Sequence, residues 1–233
     1  MTTGIHQLPP EYHHDIIQRS AEWHDLRCGM ITASAVEKLM TAGKKPASNA
    51  TSRGLMYELA AQRITGYVEP SFVSDDMLRG QEDEIEARAI YEKHQGVTVA
   101  ECGFVVARPY DFPIGYSPDG LVGDDGLIEI KSRKQKFQLE TILNGEVPAE
   151  YMLQCQTGLL VTGRKWLDFI SYSGGLPMVV LRVWPDEELH QLIIETCAAA
   201  EQQIAEIVAN APKFAAAHNW PPTVRKVYED ILA

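Results

Sequence analysis

The chain has 233 residues, 45% of them apolar and 23% charged, a balance typical of soluble globular proteins rather than disordered or fibrous ones. Its net charge of −11, from 21 basic and 32 acidic residues, argues against a protein that coats nucleic acid non-specifically. Cys28, Cys102, Cys155 and Cys197 form no C-x-x-C pair, and no apolar run approaches the length of a membrane span, so zinc ribbons, four-cysteine clusters, secretion and membrane insertion all lack support. In chain order, a helix is predicted near Ala21 to Arg27, and a second opens on Ser34-Ala-Val-Glu37, a capping-box pattern. A third fits Ser52 to Ile64, with Leu55, Leu59 and Ile64 on one face and Gly66 as its stop; a fourth fits Asp75 to His94.

After Gly96 the pattern changes to strands: Val97 to Val106, Ile114 to Val122 and Leu127 to Lys131, the last two joined by a tight Gly123-Asp-Asp-Gly126 turn. Helices over Phe137 to Leu143 and Ala149 to Val161 follow, then strands over Trp166 to Tyr172 and Met178 to Trp184. A long helix from Asp186 to Val208 carries an apolar stripe of Leu189, Leu192, Ile193, Cys197, Ala200, Ile204 and Ile207. This order predicts an α/β fold, a mixed central sheet flanked by helices. No repeat or long linker interrupts it, so we expect a single domain over 1–233 with mobile ends at about 1–15 and 221–233, marked by Pro9-Pro10 and Pro221-Pro222. Glu11, His13, His14 and Asp15 read as a solvated tail, and Trp184 and Trp220 as core or edge aromatics.

The chemistry concentrates in the segment from Ser117 to Lys131. Residues two apart on a strand face the same way, so Glu129 and Lys131 project together while Ile128 and Ile130 face a core. Asp119, on the antiparallel partner, can bring its carboxylate to that of Glu129. Two carboxylates held close repel unless a cation sits between them, and oxygen-only ligands suit Mg²⁺, with Mn²⁺ as a substitute. Lys131 could orient the attacking water, help to deprotonate it, or offset developing charge, an assembly suited to cutting a phosphodiester. The basic residues Lys131, Arg133, Lys134 and Lys136 form a stripe that could guide a polyanion.

Pro118-Asp119, a short spacer and Glu129-Ile130-Lys131 resemble the core of the PD-(D/E)xK nuclease superfamily, whose fold is restriction-endonuclease-like. Four blocks, Trp23 to Ser34 (WHDLRCGMITAS), Arg79 to Arg88 (RGQEDEIEAR), Ser117 to Gly120 (SPDG) and Tyr151 to Gln156 (YMLQCQ), follow the order and rough spacing of lambda-type phage exonucleases, a viral recombinase family. The resemblance implies Asp119 and Glu129, with Ile130, as metal ligands, Lys131 as the catalytic lysine, and Glu84 and Gln154 completing the catalytic set. Glu82, Asp83 and Glu86 neighbour Glu84 on one acidic face, and Gln156 is the alternative amide to Gln154. Arg27 and Ser34 resemble the family's pocket for a terminal 5′ phosphate, with Ser117 beside it. The residue that splits the duplex is expected between Gly43 and Arg53.

The activity implied is a Mg²⁺-dependent exonuclease that digests one strand of double-stranded DNA from a 5′ end, in the cytoplasm of a bacterial host. Its partners would be double-stranded DNA ends and a single-strand annealing protein, and its assembly a homotrimer ring. Val224, Val227, Tyr228, Ile231 and Leu232 form a stripe that could seal the ring. An endonuclease of the same superfamily would need no end pocket, and a catalytically silent end-binding adaptor would need no metal.

Overall fold

The structure is a computed structural model that describes residues 8–41, 43–70 and 75–225. Strand β1 (Glu11–His13) precedes α1 (Ala21–Arg27), whose N-cap Ser20 accepts a hydrogen bond from the Trp23 N–H. Strand β2 (Ile31–Thr32) runs straight into α2 (Ala33–Leu39), and α3 (Ala50–Thr65) and α4 (Asp75–Gln95) follow. The expected capping box at Ser34 is absent: Thr32 occupies the N-cap without a side-chain bond to a helix N–H, and Ser34 lies in the first turn. The box instead opens α3, where Asn49 and Ser52 exchange side-chain and main-chain bonds. Leu55 and Leu59 are buried there with Met56 and Ala60, whereas Ile64 is exposed, because the real core face recurs at three and four residues and Ile64 falls outside it.

Strands β3 (Val99–Ala100), β4 (Phe104–Ala107), β5 (Ile114–Tyr116), β6 (Gly120–Val122) and β7 (Gly126–Ser132) come next. Helices α5 (Gln135–Asn144) and α6 (Ala149–Thr162), strands β8 (Trp166–Tyr172) and β9 (Val179–Val183), and helix α7 (Glu187–Ala217) complete the described fold. Helix α7 runs past the expected end at Val208 and through Pro212. Proline removes a single main-chain donor there, and the helix resumes over the following turn.

The expected single sheet is two mixed ones, in the orders β1-β4-β5-β2 and β3-β6-β7-β8-β9. The predicted strand from Ile114 to Val122 divides at Ser117-Pro118-Asp119, so β5 serves one sheet and β6 the other. Pro118 has no N–H to give a ladder, and the Asp119 carboxylate takes the Ile130 N–H at 2.6 Å in place of a main-chain partner. Gln18 fixes the crossing by donating to the Pro118 carbonyl at 2.8 Å.

Helix α6 is the hub of the larger core. Its Cys155, Leu159 and Leu160 share one buried cluster with Ile31, Val36, Val105, Ile114, Leu127, Leu167 and Ile193. A smaller core lies on the far face of the five-stranded sheet, where Ala87 and Tyr91 of α4 cover Ile128, Ile130 and Ile170. The alternation predicted for β7 therefore holds, but both of its faces are covered. Glu11 to His13 depart from the solvated tail expected of them: they pair antiparallel with Phe104 to Val106, and the Tyr12 hydroxyl donates to the Thr162 carbonyl at 2.8 Å. Trp184 and Trp220 are not core aromatics, being 60% and 59% exposed. Of the proposed C-terminal stripe, Val224 is exposed and the remaining residues lie outside the described ones.

Candidate active site

Strand β7, the Ser117-Pro118-Asp119 crossing and helices α1, α2, α4 and α6 deliver the predicted chemical groups to one cavity of about 220 Å³. Register places Gly120 opposite Ile128, so Asp119, one residue earlier, stands against Glu129. Glu129 is 1% exposed and engaged at both oxygens. Its Oε2 accepts from the Tyr116 hydroxyl at 2.7 Å, and its Oε1 lies 2.7 Å from Lys131 Nζ and accepts from Gln154 Nε2 at 2.5 Å. Lys131 in turn donates to Gln154 Oε1 at 3.0 Å. A single amide thus bridges the carboxylate and the ammonium.

The choice between Gln154 and Gln156 is resolved by helix geometry, since residues two apart on α6 point in nearly opposite directions. Gln156 binds the Trp184 carbonyl, the Asp186 N–H and His190, away from the cavity. The acidic face of α4 is likewise sorted. Asp83 accepts from Ser132 and Glu86 from Tyr172, while Glu84 lines the cavity and receives Arg88 at 3.3 Å and Arg19 at 3.5 Å.

The electrostatics are those of a site short of positive charge. Burial, then the charges of Glu129 and Glu84, push the Asp119 carboxyl well above its ordinary value, against the pull of Lys131 and the Ile130 N–H. Burial alone would lower the Lys131 ammonium, but Glu129 and Asp119 outweigh it and hold the group protonated. Lys131 in this arrangement is a positive charge, suited to orienting an anion or water. Tyr116 is pushed well above a free phenol by burial and by Glu129, so it stays a donor.

Glu84 is paired with Arg19 and Arg88, which leaves Asp119 and Glu129 to share the Lys131 ammonium, and two buried carboxylates so placed suit a divalent metal. Asp119, Glu129 and the main-chain carbonyl of Ile130 are oxygen donors of the type hard cations take. No group of three or more His, Cys, Asp or Glu side chains with metal-holding geometry occurs among the described residues, so an ion here would draw on main chain and water as well as carboxylates.

The other end of the cavity is cationic. Arg27, at the end of α1, lies 3.9 Å over the Trp23 ring and donates to Ser117 Oγ at 3.1 Å. Trp23 Nε1 donates to the same oxygen at 2.9 Å. With both lone pairs of Ser117 engaged, its hydroxyl hydrogen is left to donate. Burial pulls the Arg27 guanidinium down to about 10. Ser34 completes this end, its hydroxyl 3.4 Å from that of Thr32.

All nine predicted positions therefore border one cavity. Sequence reasoning missed Tyr116, Trp23 and Gln18. Tyrosine in an apolar strand reads as core, and the donors on α1 and before it meet the site only through contacts about 90 to 100 residues distant. The basic stripe is corrected: Lys131, on β7, is inside the site, and Arg133, just past the strand's end with its N–H on the Tyr172 carbonyl at 2.7 Å, is buried against Glu150 and the Tyr151 hydroxyl. Only Lys134 and Lys136 are exposed.

The chain is similar to the alkaline exonuclease from Laribacter hongkongensis, with 37% identity and a TM-score of 0.71 over 84% of this chain and all of that one. The same enzyme in complex with dAMP gives 0.72. A phage-related exonuclease from Haemophilus somnus 129PT shares the fold, with 15% identity and a TM-score of 0.59 over 78% of this chain and 96% of that one. Fold and site define a nuclease built on the exonuclease architecture. Within that class the chain belongs to the YqaJ-like viral recombinase family, whose domain matches residues 22–165. No curated protein matches it. No helix among the described residues is long and apolar enough to cross a membrane.

Proposed function

We propose that this protein is a Mg²⁺-dependent exonuclease that degrades one strand of duplex DNA from a 5′ end and leaves a 3′ single strand for recombination by annealing. The observation that supports this reading is the meeting of two chemistries in one cavity. The carboxylate group of Asp119 and Glu129 stands beside an anion pocket of Arg27, Ser34 and Ser117. An endonuclease has no need of the second.

Asp119, Glu129 and the Ile130 carbonyl would hold Mg²⁺, with Mn²⁺ as a substitute. When bound, such a metal supplies Lewis-acid stabilisation of the phosphate and lowers the pKa of water. Lys131 orients the nucleophile and offsets charge on the phosphate as it is attacked. Gln154 keeps Lys131 and Glu129 in register, and Tyr116 holds the second oxygen of Glu129. Glu84, between Arg19 and Arg88, closes the acidic side. Arg27 and the hydroxyls of Ser34 and Ser117 grip the terminal phosphate, so the scissile bond is presented at a fixed distance from the end.

The family further supports action in the cytoplasm of a bacterial host, a single-strand annealing protein as partner, and a homotrimer ring around the duplex. The test is digestion, with Mg²⁺, of linear duplexes labelled at either end, beside a closed circle. Loss of the 5′ label first, with the circle intact, is the expected result. Nicking of the circle, or release of the 3′ label first, would overturn the proposal.

A further inference from the structure

The end pocket depends on a corner that the catalytic groups do not touch. Arg27 is the first residue of a tight turn, closed by the Met30 N–H on its carbonyl at 3.0 Å. Cys28 (φ −57°, ψ 117°) and Gly29 (φ 69°) occupy the central positions of a type II turn. Such a turn leaves the polar groups of its third residue facing outward. Both are taken here by consecutive residues of α3. The Gly29 N–H donates to Gln62 Oε1 at 2.8 Å, and Arg63 Nε donates to the Gly29 carbonyl at 2.7 Å.

Arg63 is itself tied down. Its two terminal nitrogens each donate to a Glu201 oxygen at 2.7 Å, a bidentate pair joining α3 to α7. The pair is largely shielded, with the side chains 26% and 12% exposed, so solvent screens it less than a surface pair. The fit is close, since a Cβ on Gly29 would come within 2.4 Å of Arg63 Cγ. One guanidinium therefore spans the α7 carboxylate and the turn that begins at Arg27.

We infer that Arg63, anchored on Glu201, is a positioning residue for the terminal phosphate: it fixes the turn that sets where Arg27 points. This rests on the end-pocket reading above. The guanidinium of Arg27 is aimed through Trp23 and Ser117, but its main chain is held by this clamp, and a bidentate grip on phosphate tolerates little displacement.

The readout is the ratio of initiation rates on duplexes with a 5′ phosphate and a 5′ hydroxyl. Arg63→Met should lower this ratio about five-fold, within the range of coupling between contacting groups. It should raise KM for phosphorylated ends more than it changes kcat. Arg63→Lys, able to keep one of the two contacts, should recover part of the ratio. Combined with Arg27→Ala, Arg63→Met should lower it no further. Should Arg63→Met fail to fold, Glu201→Gln, which keeps the shape and loses the charge, should lower the ratio in the same direction. If Arg27→Ala lowers the ratio while the Arg63 and Glu201 variants slow both ends alike, the clamp is overturned and the pocket survives. If Arg27→Ala leaves the ratio unchanged, the pocket reading falls and this inference with it.

Discussion

Glu129 is a buried acid met by a phenol, an amide and an ammonium, and each of those partners loses its purpose if the charge is removed. Glu129→Gln, Asp119→Asn and Lys131→Ala are each expected to cut hydrolysis by at least about 100-fold, with circular dichroism confirming a folded protein. Near-normal Mg²⁺-dependent digestion by Glu129→Gln would refute the site. Ca²⁺ should bind in calorimetry yet support little turnover, its larger and looser coordination misplacing the reacting groups. Asp119 also makes a claim about stability. Its folded-state pKa is raised, first by burial and then by Glu129 and Glu84. The metal-free fold therefore favours the protonated acid, and that contribution is present below the ordinary carboxylate range and is lost as pH rises through the folded value. In chelator, the melting temperature of the wild type should fall with rising pH above about 4, more steeply than that of Asp119→Asn. Parallel profiles would show that Asp119 carries no such strain.

Strand β7 was legible because Ile-Glu-Ile-Lys alternates with a period of two, and α1 and β8 are predicted with the bounds observed. The predicted strand from Ile114 to Val122 passes over the break between β5 and β6, although Ser117-Pro-Asp-Gly120 stands between its apolar residues; what the sequence does not show is that Gln18 and the Asp119 carboxylate hold that break and send the two halves to different sheets. Most of the proposed site was similarly legible in short motifs, while its supports lay in packing. Helix α6 shows how that packing reaches the chemistry. Gly158 crosses the Tyr116 ring so closely that a Cβ would meet its Cζ at 2.8 Å. Helix propensity alone predicts that Gly158→Ala stabilises by up to about 1 kcal/mol, whereas overpacking costs about 1–3 kcal/mol. Overpacking should win because Tyr116 is fully buried and bonded to Glu129. Thermal denaturation is expected to show destabilisation, and digestion a loss of rate as the phenol leaves its carboxylate. A rise in melting temperature would mean that the ring can move aside freely.

A body with net charge −11 is repelled by DNA at long range, and the exposed lysines Lys134 and Lys136 offer little to offset it. An exonuclease that must make many cuts on one duplex is better served by enclosure than by attraction, since a closed ring keeps its track without tight binding. With the trimer that the family resemblance implies as that ring, light scattering should report three subunits per particle, and digestion in the presence of competitor DNA should show long uninterrupted runs. A monomer that releases its substrate after a few cuts would remove the ring and leave the nuclease site standing. The passage of the chain from one sheet to the other has a consequence for what is released. Ser117, in the end pocket, and Asp119, in the acidic cluster, are separated by Pro118 alone, a span of at most about 7 Å of backbone. If Ser117 grips the terminal phosphate and Asp119 serves the metal, as proposed, these three residues would act as a ruler between the end and the bond to be cut. On the proposed assignment such a span would leave room for about one nucleotide, so the expected product is mononucleotides, each cut exposing a fresh 5′ phosphate; chromatography of the digest showing mainly longer oligonucleotides would remove the ruler.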